Sequence, residues 1–96
     1  MNINNAGKRI CDHLLSASID KEAMEIASLI KIIIDENNDI EERNEAIDNL
    51  LSRCHPKWLG DYYIKDVTYQ EWFTLISKFN RALNKYKKRM LEVSKS

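Results

Sequence analysis

The chain is predicted to fold as an all-α, four-helix bundle-like arrangement with a long last helix, a single domain over residues 1–96. Three observations carry that prediction. Apolar residues recur at steps of three and four almost throughout the sequence, the repeat of a helix face. Two Gly and one Pro are too few for the turns of a β-sandwich or barrel. Two positions, Asp39 and Thr68, each stand three residues before a Glu, the signature of a helix start. A hydrophobic content of 44% with 31% charged residues belongs to a folded chain with one modest core. No apolar run approaches the roughly 18 residues needed to span a bilayer.

The first helix is expected from about Asn5 to Ser18, where Ile3, Ala6, Ile10, Leu14 and Ala17 keep the helical step. Asp20 is placed to cap the second, with Ile19 and Met24 spaced as a hydrophobic staple. That helix is apolar on most of its circumference, through Ala23, Ile26, Ala27, Leu29, Ile30, Ile32, Ile33 and Ile34, and is expected to sit centrally. Asp39 with Glu42 opens a third helix to about Cys54. Its apolar stripe is Ile40, Ile47, Leu50, Leu51 and Cys54, and it skips Arg43 and Asn44, so its first turns should hold the core loosely. His55-Pro56 ends it, because the residue before proline is pushed out of the helical region.

The fourth helix has the strongest signals. Thr68 and Glu71 form a capping box, and Val67 and Trp72 are spaced as its staple. Trp72, Ile76, Phe79, Leu83, Tyr86, Met90 and Val93 then alternate steps of four and three, a coiled-coil-like seam. A helix over 68–93 would be about 39 Å long and overhang the others with a basic end.

Zero net charge conceals a dipole: residues 1–66 sum to −5 and residues 67–96 to +5. Seven of the fourteen residues from Asp35 to Asp48 are acidic, opposed only by Arg43. On a helix from Asp39, Glu41, Glu45 and Asp48 share one face, with Glu42 and Asn49 beside them. Glu41 and Glu42 also suit a helix N-terminus, whereas Asp35, Glu36 and Asp48 lack that justification. The face is either solvated surface or one presented to a basic partner. Next to it in sequence, "HPKWLGDYYIKDV" is the one sizeable non-periodic stretch, and six of the eight aromatic residues fall between Trp58 and Phe73. Trp58 and Leu59 are placed to plug the bundle end. At least one ring of the Tyr62-Tyr63 pair should be exposed, and such rings favour interface anchors.

No enzyme signature is present: there is no P-loop, no G-x-S-x-G and no Glu-x-x-His pattern. Cys11, His13, Cys54 and His55 lack metal-ligand spacing, since i and i+2 on a helix point apart, so neither metal nor cofactor is expected. In "MNINNAGKRICDHLLSAS" Asp12 and His13 interrupt the apolar segment, so it reads as a helix and not a secretion signal. Cys11 and Cys54 are then expected as reduced thiols in a cytoplasm. The last helix carries Lys78, Arg81, Lys85, Lys87, Lys88, Arg89 and Lys95, which allows an alternative reading as a nucleic-acid-binding regulator. The acidic remainder would repel a polyanion. A monomer is favoured over a dimer paired through the Trp72–Val93 seam.

The order of acidic helix, "HP", an aspartate and a tyrosine pair resembles the immunity proteins of nuclease colicins. The matching residues are Glu41, Glu42, Glu45 and Asp48, then His55-Pro56, Asp61 and Tyr62-Tyr63. Members of that family are small four-helix bundles that neutralise a bacterial DNase toxin. The resemblance implies the acidic positions as specificity residues and the tyrosines, on a one-turn helix, as anchors. The present chain carries one helix more upstream and a longer last helix, and Ile64 follows the tyrosines where the family has proline. An immunity role in contact-dependent growth inhibition fits the same features. The leading expectation is therefore a non-enzymatic inhibitor of a basic toxin that binds through Glu41, Glu42, Glu45, Asp48, Trp58, Asp61, Tyr62 and Tyr63.

Overall fold

Asn2 starts the first helix, its side-chain oxygen accepting from the Asn5 amide at 2.8 Å and so satisfying one of the orphan donors of the first turn. A computed structural model describes residues 2–94, with side chains through residue 93. Lys95 of the expected basic end lies outside the described residues. Helix α1 spans Ile3–Ser16 and buries Ile3, Ala6, Gly7, Ile10 and Leu14. It begins at Ile3, where its apolar pattern starts and two residues before the expected Asn5, because Asn2 provides the cap.

Ser18 ends α1 with a positive φ of 63°. Its amide donates to Leu15 O at 3.0 Å and the Ile19 amide to Leu14 O at 2.8 Å, the paired bonds of a Schellman turn. That turn runs straight into α2, Asp20–Ile34, so Ile19 takes the cap position without any side-chain cap bond and Asp20 becomes the first helical residue. The expected Asp20 cap is thus absent, and Met24, at 67% exposure, is no staple partner.

Helix α3 spans Ile40–Arg53, capped by Asp39, whose carboxylate accepts from the Glu42 amide at 2.7 Å. A one-turn 3-10 helix follows at Leu59–Asp61. Helix α4 runs over Tyr69–Ser94, 26 residues. Thr68 caps it by accepting from the Glu71 amide at 3.1 Å, and its own hydroxyl donates to the Glu71 carboxylate. Val67 is half-buried against the core and Trp72 is buried.

The four helices close a ring: α1 packs on α2, α2 on α3, α3 on α4 and α4 on α1, with the one-turn helix against α4. Helix α2 is therefore one side of the ring and not its centre; Ala27 and Ile34 are exposed, and Leu29 and Ile32 are half-buried. Gly7 permits the close approach of α1, since a Cβ there would collide with Cδ1 of Ile30 and touch Phe79. The α4 seam is spent inside the molecule: Trp72, Ile76, Phe79, Leu83 and Met90 are buried, Tyr86 is half-buried, and only Val93 among them is exposed. It is not available as a whole to a second chain. The bundle measures 46 × 22 × 21 Å.

The first turns of α3 are held by polar contacts in addition to the half-buried Ile40. Arg43 Nε donates to Ile33 O at 2.8 Å and its Nη2 to the Tyr86 hydroxyl at 2.9 Å. That hydroxyl donates on to Ile33 O at 3.3 Å. Three helices meet at one terminal carbonyl of α2, a group that would otherwise lack a partner.

Candidate functional site

Helix α3 turns its acidic residues outward. Glu41, Glu42, Glu45 and Asp48 are all exposed. The acidic run nevertheless divides by role. Asp39 caps α3, and Asp35 accepts from the Asn37 amide at 2.9 Å to shape the α2–α3 turn. Asp48 lies 2.6 Å from Lys87 Nζ on α4. Local structure thus accounts for Asp35 and Asp48, which the helix dipole could not. Glu36, Glu41, Glu42 and Glu45 make no ion pair among the described residues. They are the outward negative charge of this end of the molecule.

Steps of four carry the ridge Glu41, Glu45, Asn49 and Arg53 along one edge of α3 toward α2. Arg53 ends it. Its Nε donates to Asn49 Oδ1 at 2.8 Å, and its Nη1 lies 2.9 Å from both Glu22 and Glu25 on α2. Arg53 and Glu22 are buried, while the Glu25 side chain is 42% exposed. Burial alone would lower the Arg53 value, but the hydrogen bonds it donates to Glu25 and Glu22 outweigh it and hold the guanidinium charged.

The indole of Trp58 rests on this guanidinium, 5.0 Å from ring centroid to Cζ. The plug expected of Trp58 and Leu59 is therefore divided: Leu59 is fully buried, whereas Trp58 stays 42% exposed. Leu59 also accepts from the buried Trp72 indole at 2.8 Å, which pins the irregular segment to α4. Tyr62 is half-buried, and burial, followed by the nearby Glu22 carboxylate, holds its phenol above the usual range, so it remains a donor. Tyr63 projects outward at 84% exposure, and Asp61 is exposed at the end of the one-turn helix. Trp58, Tyr62 and the ridge thus meet around Arg53, while Asp48 faces α4.

Sequence reading missed the Glu22–Arg53–Glu25 cluster, although a signal was present. Ala46, Leu50 and Arg53 lie on one stripe, as do Glu22, Ile26, Ile30 and Ile33. Opposite charges on two apolar stripes mark a buried pair.

The cysteines are free. Burial, and then Asp12, push the Cys11 thiol from 9.0 to about 11, and burial pushes Cys54 up to about 12. Such thiols are poor nucleophiles and poor ligands at neutral pH. Among the described residues no group of three or more His, Cys, Asp or Glu is placed to hold a metal ion.

No family model, curated protein or solved structure matches the chain. Among the described residues no helix is long and apolar enough to cross a membrane. On α4, Lys78, Arg81, Lys85, Lys88 and Arg89 are exposed, whereas Lys87 is taken up by Asp48.

Proposed function

We propose that this chain is a non-enzymatic immunity protein of the bacterial cytoplasm, which binds and neutralises a basic protein toxin, a nuclease by first choice. The observation that carries the reading is the exposed ridge Glu41–Glu45, continuous through Asn49 and Arg53 with the partly exposed Trp58. A nuclease must attract a phosphodiester, so its cleft is positively charged. An acidic ridge competes for that cleft and speeds encounter by steering. Aromatic rings beside it supply contact area that is rigid and desolvates well. The resemblance to colicin immunity proteins supports the reading through the succession of acidic helix, one-turn helix and last helix, although Tyr62 and Tyr63 follow the one-turn helix Leu59–Asp61 here and do not lie on it as the resemblance implies.

The test is association kinetics with the toxin domain encoded beside this chain's gene. Glu41, Glu42 and Glu45 are the positions to reverse, because Asp48 already serves Lys87. Their joint change to Lys should slow association at least about tenfold at low salt, with the difference fading as salt rises. An unchanged rate would remove the ridge from the mechanism. Exposed Arg81, Lys85, Lys88 and Arg89 keep a second reading open, that of a nucleic-acid binder. It requires retention on heparin at about 0.1 M salt, where the inhibitor flows through.

A further inference from the structure

The first turn of α2 and the segment after α3 enclose a cleft lined by Ile19, Asp20, Glu22, Glu25, Trp58 and Tyr62. One wall is aromatic and the other carries carboxylates. Arg53 at the base uses one Glu25 oxygen, Oε2, and the Glu25 side chain remains 42% exposed. Trp58 already holds one guanidinium, that of Arg53, at 5.0 Å, and keeps 42% of its surface open. Tyr62 retains its proton, held there by burial and by Glu22. With Asp20, Glu22 and Glu25 against Lys21 and Arg53, the lining and its base carry one negative charge in excess. The positive end of α2 disfavours a cation at this place, and the carboxylates of Asp20 and Glu22 in that same turn offset it.

We propose that this cleft receives one arginine side chain of the basic protein partner, its guanidinium against Trp58 and Tyr62 and its N–H groups toward Glu25. Arginine fits better than lysine, because a planar cation stacks on an aromatic ring while its forked donors meet a carboxylate. The identity of the donor rests on the inhibitor reading; the chemistry of the cleft does not. The cleft extends the partner surface from α3 onto α2, and it makes Glu25 a specificity residue beside the ridge.

The two tryptophans permit a clean measurement. Trp72 is buried with its indole bonded to Leu59, whereas Trp58 borders the cleft, so their indole N–H resonances separate the site from the core. The probe is Nα-acetyl-arginine amide, titrated at constant ionic strength against its neutral isostere Nα-acetyl-citrulline amide and against Nα-acetyl-lysine amide. The arginine compound should move the Trp58 resonance at least about threefold more than either control, leaving Trp72 in place. Glu25→Gln should reduce that response at least about threefold while the Trp72 position and the helical spectrum stay constant. Trp58→Leu, followed through the Tyr62 ring signals, should abolish it. Equal responses to arginine and citrulline, or an undiminished response in Glu25→Gln, overturn the proposal; an equal response to the lysine compound overturns the choice of arginine. No toxin enters this titration, so its failure leaves the inhibitor reading intact. Failure of the unaltered chain to protect against the toxin, with an intact titration, would sink that reading alone.

Discussion

Lys87 Nζ lies 2.6 Å from the Asp48 carboxylate, tying the basic face of α4 to the acidic side of α3. The two charged halves of the chain are therefore partly neutralised against each other, and the acidic face of α3 narrows to Glu41, Glu42 and Glu45. Both partners remain accessible, with side chains 30% and 53% exposed, so the pair contributes little to folding. Lys87→Met should cost less than about 1 kcal/mol in urea denaturation. It should also make association with a basic partner faster at low salt, since Asp48 is released. A loss of several kcal/mol would show that Lys87 has a structural role beyond this pair.

Arg53 behaves differently because it and its partner Glu22 are both buried. Arg53→Met leaves the Glu22 carboxylate, 7% exposed, without a counter-charge, and should cost about 3–5 kcal/mol. Adding Glu22→Leu should restore much of that, since two apolar groups replace a buried pair at little net cost. Urea titrations of the single and double variants measure both effects. A double variant no more stable than the single would mean that Glu25 and Trp58, not the Glu22 charge, set the cost.

Ser18 occupies the left-handed position of the Schellman turn at φ 63°. Glycine adopts that conformation without a Cβ penalty of about 1–2 kcal/mol, but loses about 0.5–1 kcal/mol more chain entropy. Ser18→Gly should therefore raise stability by about 0.5–1 kcal/mol, read as a higher Tm. A lower Tm would show that the Ser18 side chain contributes something the turn geometry does not.

Cys11 and Cys54 make the alkaline limb of stability predictable. Folded values of about 11 and about 12 stand above the ordinary 9.0, so the folded chain holds its thiol protons more tightly than the unfolded one. The stability this contributes is complete below pH 9 and is lost as pH rises through about 9 to 12. Replacing both by Ala should flatten the decline of urea midpoint across that window. At pH 8 the buried Cys54 thiol should react with a disulfide reagent only as fast as the fold opens, and more slowly than the half-buried Cys11. Immediate reaction of Cys54 would contradict its burial.

The helices were legible because their causes are local. Asp39 and Thr68 cap where their spacing to Glu42 and Glu71 indicates, and His55 before Pro56 stops α3 near Cys54. The start of α2 was misread for a reason outside its own sequence: the Schellman turn closing α1 consumes Ser18 and Ile19, leaving Asp20 inside the helix. Contacts between distant segments were illegible in the same sense. Nothing near Arg43 announces that it reaches Ile33 and Tyr86, and its charge read only as a gap in an apolar stripe. The acidic face and the exposed Tyr63 were visible in composition and adjacency; the Arg53 cluster that joins the acidic ridge to Trp58 needed the bundle.

The most direct measurement of the central claim is protection of a growing bacterium against a basic nuclease toxin domain, which is expected to be encoded beside this chain's gene. The informative variant combines Glu41→Lys, Glu45→Lys and Tyr63→Ala, all exposed positions whose changes should each alter stability by no more than about 0.5 kcal/mol. With a ridge for encounter and an aromatic anchor worth about 2 kcal/mol or more, the variant should fold like the parent yet fail to protect. A variant that folds normally and still protects fully would contradict the account.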